Sequence, residues 1–271
     1  MIARILSDEG PSSGRGCFRR PRMKASAVAV AAVALLASAG SIRAQSQGNG
    51  YLFGEPSGSF TLRGGFARAN AGSDIFTFAT SQLTIGRDAF SGPTLGADLA
   101  VRLGPRLDLL FSAEYAGTSA GSEFRHFVDN NDQPIQQTTE FYRVPLTVGA
   151  RYYLTDRGRA IGQYAWIPAR IAPYVGAGAG VVYYSFRQHG DFVDFKTNDV
   201  FNEDVSSARW APTVHALAGV DYSLTPRFAL TTQGKYAWGS GNLNHGPGGF
   251  DGFDKIDLSG FAATVGLSVR F

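Results

Sequence analysis

From Phe60 to the carboxy terminus, apolar residues recur at every second position in eight separate stretches. A period of two marks a strand with one apolar face and one polar or small face. The last stretch is the most regular: Phe261, Ala263, Val265, Leu267, Val269 and Phe271 alternate with Ala262, Thr264, Gly266, Ser268 and Arg270. The other predicted strands are 60–66, 95–103, 107–115, 142–154, 175–183, 214–222 and 228–238. No segment among them carries a convincing helical period. The chain reads as all-β.

The connections sort by length. Those after the second and sixth strands are short, 104–106 and 224–227, and two of them hold Pro105 or Pro226 as turn residues. Those after the first, third, fifth and seventh run to about twenty residues each and are expected to be loops: 71–91, 117–140, 187–208 and 239–255. Short turns at one end and long loops at the other fit an antiparallel up-and-down barrel in a membrane, with the short side periplasmic. One connection departs from this, a long turn over 155–172 that contains Trp166. Lipid leaves no water for exposed strand edges, so strands that cross it must close into a ring. The expected fold is therefore an eight-stranded antiparallel transmembrane β-barrel. Tyr152, Tyr222 and Phe271 should mark one interface, and Tyr115, Tyr142, Tyr183 and Trp238 the other.

The leader changes what the charge means. Met23 and Lys24 precede an apolar run from Ala25 to Gly40, which reads as a signal peptide over 23–44 cut after Ala44 or Ala39. Residues 1–22 are then expected to be an over-extended start, 45–58 a polar lead-in and 59–271 the barrel. The formal charge of +3 belongs to the leader: cutting after Ala44 removes seven of 25 basic residues and two of 22 acidic ones, leaving 18 and 20. No nucleic-acid partner is expected. Cys17, the only cysteine, is lost with the leader, which removes disulfides and thiolate metal sites.

The polar face of the strands supplies the candidate site. Arg63, Asp98, Arg102, Glu114, Arg143, Arg151, His215, Asp221 and Lys235, with Arg270, should point into the lumen. Eight strands leave room only for side chains, and both signs are present, so the expected lumen is filled by paired charges. A narrow conduit for small, possibly hydrophobic solutes is the alternative. The Gly-Ala run 176–180 lacks the helix that a phosphate-cradling loop needs, so its glycines should instead make room for long Arg and Tyr side chains from opposite strands. His126, His189, His215 and His245 form no His-x-Ser motif, and His189 with Asp191 and Asp194 reads as a solvated acidic loop. No catalytic residue, metal or cofactor is expected.

The runs 148–154, 173–180 and 219–225, together with the terminal strand, make the chain resemble the small OmpA-like and OmpW-like outer-membrane barrels over about 59–271. The resemblance implies a Gram-negative-type outer-membrane location with both termini periplasmic. A monomer in contact with outer-membrane lipid and lipopolysaccharide is expected, and without a His-x-Ser motif no enzyme activity is expected. Adhesion or shielding through the acidic loops is a further alternative. The same resemblance makes Val265, Leu267, Val269 and Phe271 an insertion signal for the barrel-assembly machinery. Deleting Phe271 is expected to lower the inserted fraction far more than any loop change, as read by heat-modifiable gel mobility of membrane fractions. Normal insertion of the truncated chain would remove the signal reading.

Overall fold

A computed structural model describes residues 52–129, 132–162, 164–194 and 199–271. The expected over-extended start, the signal segment and the first part of the lead-in lie outside the described residues. Eight long strands form the body: β1 Gly58–Ala69, β2 Gly92–Arg102, β3 Leu107–Val128, β4 Pro134–Tyr153, β5 Ile171–Val193, β6 Val200–Ser223, β7 Phe228–Asn242 and β8 Gly260–Arg270. Each pairs antiparallel with its sequence neighbours, and β8 pairs back onto β1, with Leu267 opposite Leu62 and Gly260 opposite Ala69. The ring is closed. Phe271 completes the seam, since its N–H donates to the Gly58 carbonyl at 3.1 Å and its carbonyl accepts from Ser57 N–H at 2.7 Å.

The strands overrun their predicted lengths at one end. β3 to β6 hold 22, 20, 23 and 24 residues, about twice the 9–11 that cross a bilayer. The expected loops 117–140 and 187–208 are therefore mostly strand, a correction with a clear cause. Along β5 the outward positions run Val175, Ala177, Ala179, Val181 and Tyr183, then Ser185, Arg187 and His189. The inward positions of its upper half are Val182, Tyr184 and Phe186, all buried. The apolar face thus changes sides where the strand leaves lipid for water. A search for one continuous apolar stripe ends there.

Where β3 to β6 rise above the ring, β3 and β6 become edges, and exposed edges invite unwanted pairing. The connection between β1 and β2 covers the first. Leu83 bridges to Phe124, and Thr84 exchanges bonds with Glu123, N–H to carbonyl at 2.9 Å and N–H to hydroxyl at 3.0 Å. The connection between β7 and β8 covers the second, with Ser206 N–H on the Gly248 carbonyl at 2.9 Å and Asn244 N–H on the Ser207 hydroxyl at 3.0 Å. The expected loops 71–91 and 239–255 are thus bonded along the raised edges of β3 and β6.

The first connection also holds a helix that alternation did not reveal, α1 Asp74–Gln82, only nine residues long. Its buried face is Ile75, Phe76 and Ala79. They meet Phe90, Phe141, Tyr184, Phe186, Phe250 and Ile256 in one apolar core inside the raised half of the barrel. Phe76 sits at its centre, with ring centroids 4.6 Å from Phe90 and 5.5 Å from both Phe141 and Phe186. At the other end the long turn after β4 forms a hairpin, Gly158–Ile161 with Ala165–Pro168, which Leu52–Phe53 extends by one short strand. Its Trp166 is 2% exposed.

Removing the central ring by Phe76→Ala is expected to destabilise the folded protein by about 3–5 kcal/mol through lost burial and an unfilled cavity. Urea titration in detergent checks this. Phe66→Ala, on the outer face, should cost less because lipid or detergent refills the space.

Candidate functional site

The lumen is built in layers. At mid-barrel, Arg63 from β1 binds Asp98 of β2 with Nε–Oδ2 at 2.7 Å and Nη2–Oδ1 at 3.2 Å, while its Nη1 reaches Glu114 Oε2 of β3 at 2.8 Å. Lys235 crosses from β7 to the same Glu114 oxygen at 2.5 Å. Four strands are tied by four buried charges, two of each sign. Each residue occupies an inward position because alternation places it there. Gly96 leaves the Arg63 guanidinium room, since a Cβ there would stand 3.1 Å from its central carbon and press it aside by a few tenths of an ångström.

His215 lies in this part of the lumen, its Nε2 buried with no hydrogen-bond partner in the structure. Gly178 leaves it space, because a Cβ there would stand 2.7 Å from His215 Cε1. That glycine accommodates a neighbour on the adjacent strand, where a long side chain from an opposite strand was expected. Arg143 marks the upper boundary, donating to the Leu258 carbonyl at 3.2 Å and lying 5.1 Å over the Phe141 ring. Between Glu114, Arg143, Lys235 and Leu258 is a cavity of about 40 Å³, room for a water or two.

A second polar layer closes the short-turn end. Asp108 accepts from Arg151 Nη2 at 3.0 Å and from Arg157 Nη1 at 2.7 Å. Asp221 accepts from the Tyr153 hydroxyl and from Thr231 Oγ1, both at 2.7 Å. The Arg151 guanidinium lies 5.1 Å from the Tyr153 and Tyr174 ring centres. Arg270 donates to Ser223 Oγ at 3.0 Å and sits 5.7 Å over Trp166, whose hairpin covers the mouth.

Of the lumen residues expected from sequence, the structure brings Arg63, Asp98, Glu114 and Lys235 into direct contact and places His215 and Arg143 around them. Arg151 and Asp221 belong to the lower layer. Arg102 joins neither, but pairs with Glu55 at the short-turn rim at 2.7 Å. Asp108, Tyr153, Tyr174 and Arg157 are additions. Asp108 shares the parity of Glu114 and could have been found by it, whereas Arg157 comes from a turn and carried no such signal. Val265, Leu267 and Phe271 of the expected assembly signal are exposed on the outer face, and Val269 beside them is half-buried. Among the described residues no cluster of His, Cys, Asp or Glu could hold a metal ion.

The outer wall is the inverse of the lumen. Leu62, Phe66, Leu95, Leu99, Phe111, Leu146, Val148, Val175, Val214, Val265 and Leu267 all face outward and exposed, Leu95 at 68%. A continuous apolar girdle of this kind does not persist in water. Along β7 it spans Phe228 to Trp238, about 33 Å of strand and about 25 Å of height at a tilt of roughly 40°. Phe228, Tyr152 and Phe271 ring its lower edge; Tyr115, Trp210, Trp238 and Phe261 ring the upper one. The chain is an eight-stranded transmembrane β-barrel.

No family model matches the chain, and no curated protein matches it in sequence. Among solved structures it is similar to Neisserial surface protein A, at a TM-score of 0.43 and 14% identity over 79% of this chain and 99% of that one. It is also similar to the outer membrane protein OprG from Pseudomonas aeruginosa, at 0.41 and 18% over 80% and 98%. Outer membrane protein W of E. coli gives 0.33 and 18% over 80% and 100%.

Glu114 holds two cations in the barrel's middle layer, so removing its charge strands both. Glu114→Gln is expected to destabilise the barrel by about 3–5 kcal/mol, the usual cost of breaking a buried ion pair from one side. Adding Lys235→Met should recover part of that loss. A double-mutant cycle by urea denaturation in detergent measures it; purely additive effects would contradict the pairing.

Proposed function

We propose that the protein is a non-enzymatic, closed barrel of a Gram-negative-type outer membrane that anchors a rigid surface platform. The observation that carries this reading is the filling of the lumen at three successive levels. Trp166 and the Asp108–Arg151–Arg157 group occupy the short-turn mouth, the Arg63–Asp98–Glu114–Lys235 group the middle, and the Phe76 core the upper end. These layers favour an anchor over a narrow conduit for small solutes. In this reading the short turns and both termini face the periplasm, and the chain is a monomer because every strand edge in lipid is used within it. Contact with outer-membrane lipid, and recognition of the terminal strand by the assembly machinery, belong to the same proposal.

The raised half of β3 to β6 is the part offered to the outside. Its tip carries Asp191, Asp194, Asp199, Glu203 and Asp204, which supports adhesion or shielding as its role. Asp204 is held by Arg187 through two hydrogen bonds, and Asp191 accepts from Asn202 at 2.9 Å, so part of this acidic tip is fixed in place.

Purified protein in planar bilayers is expected to give no conductance above empty membranes. Trp166→Ala should leave that result unchanged, because two further layers stay filled. Steady conductance by the wild-type barrel would overturn the closed reading and restore the conduit.

A further inference from the structure

On the outer wall of β7, β8 and β1, at the upper edge of the apolar girdle, Tyr236, Phe261 and Arg68 stand side by side. Tyr236 is opposite Phe261 on one side, and Phe261 is opposite Arg68 on the other. Arg87 faces Arg68 across an open groove of about 440 Å³, also lined by Asn70, Asp88 and Phe261. Both arginines are exposed, and among the described residues neither forms an ion pair. Their backbones are nonetheless fixed. Ala69 N–H donates to Ser91 Oγ at 3.1 Å, Phe90 is buried just beyond Arg87, and the Asn70 amide donates to the Tyr236 hydroxyl at 2.5 Å.

Two exposed arginines that line one groove with an aromatic ring at a lipid surface suit one ligand chemistry. Phosphate oxygens accept paired N–H bonds from arginine, and the rings below take the acyl chains. We propose that this groove binds the phosphorylated sugar headgroup of an outer-leaflet glycolipid. The Asp88 carboxylate repels a bare phosphate but accepts hydrogen bonds from sugar hydroxyls, which is why a glycolipid fits better than a free anion. The outer-membrane reading enters only in naming the leaflet that supplies the lipid.

Folded protein in detergent is titrated with diphosphorylated lipid A, its dephosphorylated form, and inorganic phosphate, with bound species read by native mass spectrometry. The diphosphorylated lipid is expected to bind about tenfold or more tightly than the dephosphorylated one, in keeping with the loss of charge-assisted bonds. Arg68→Gln with Arg87→Gln should remove that preference, while Arg125→Gln, on the raised part of β3, keeps it; heat-modifiable mobility confirms that each variant folds. Equal binding of the two lipids by the wild type would overturn the site, as would an unchanged preference in the double variant. Inorganic phosphate binding as tightly as the lipid would reduce it to a simple anion site and overturn the glycolipid assignment. None of these results depends on conductance, so failure here leaves the closed-barrel reading standing.

Discussion

Inside a bilayer an unpaired backbone N–H or C=O has no water to bond, and each one costs several kcal/mol. That constraint makes the pairing of β8 with β1 the contact on which the structure depends. Without it the sheet would present two free edges to lipid. With it, every strand that crosses the membrane has two neighbours. Leu62 opposite Leu267 and Gly58 bonded to Phe271 are the places where the ends of the sequence meet this requirement. The same constraint explains the two folded connections above the membrane. Once β3 to β6 rise clear of the ring, their outer edges are unpaired again, and 70–91 and 243–259 supply the missing partners.

A single strand serves two solvents. Below Tyr183 the outer positions of β5 are apolar because lipid is outside, and the inner ones are small because charged and aromatic side chains fill the lumen. Above Tyr184 the outer positions turn polar and the inner ones apolar, as in an ordinary sheet covering a core. The two halves are held by different physics. The lower lumen relies on paired charges such as Arg63 with Asp98 and Glu114, where the loss of one partner is more costly than the pair is worth. The upper lumen relies on packed rings around Phe76, where the loss of volume is what matters.

This division also accounts for what could be read from the sequence. The eight spanning segments, the short turns and the inward parity of Arg63, Asp98, Glu114, Arg151, His215, Asp221 and Lys235 follow from a period of two within about ten residues. The upper halves of β3 to β6 were hidden because Phe141, Tyr184 and Phe186 are apolar on the face that had been polar a turn earlier. α1 is too short for a helical period to stand out, and it owes its place to Ile75 and Phe76 entering a core built by other segments. Pairing within the lumen was out of reach. Alternation gives the face of Arg102 but not its height, and height is what sends it to Glu55 at the rim and away from Glu114. Arg157 reaches Asp108 from a turn, where no period exists to signal it.

The order of the layers carries the functional argument further than any one of them. An open water-filled lumen is lined by polar groups that water satisfies along its length. Here most of the buried charges are bonded to one another or to neighbouring hydroxyl and carbonyl groups, and the next layer is an apolar core that water does not wet. Thermal opening of the Trp166 hairpin would uncover Arg270 and a layer whose carboxylates, Asp108 and Asp221, are already bonded to Arg151, Arg157, Tyr153 and Thr231. Loosening the upper connections would uncover strand edges and the Phe76 rings together, which couples the closure of the lumen to the stability of the raised sheet. A barrel that cannot open without loosening the structure it presents is suited to holding that structure still. In the proposed reading the lumen stiffens the anchor, and the surfaces offered to partners are the acidic tip of β5 and β6 and the arginines above the lipid belt.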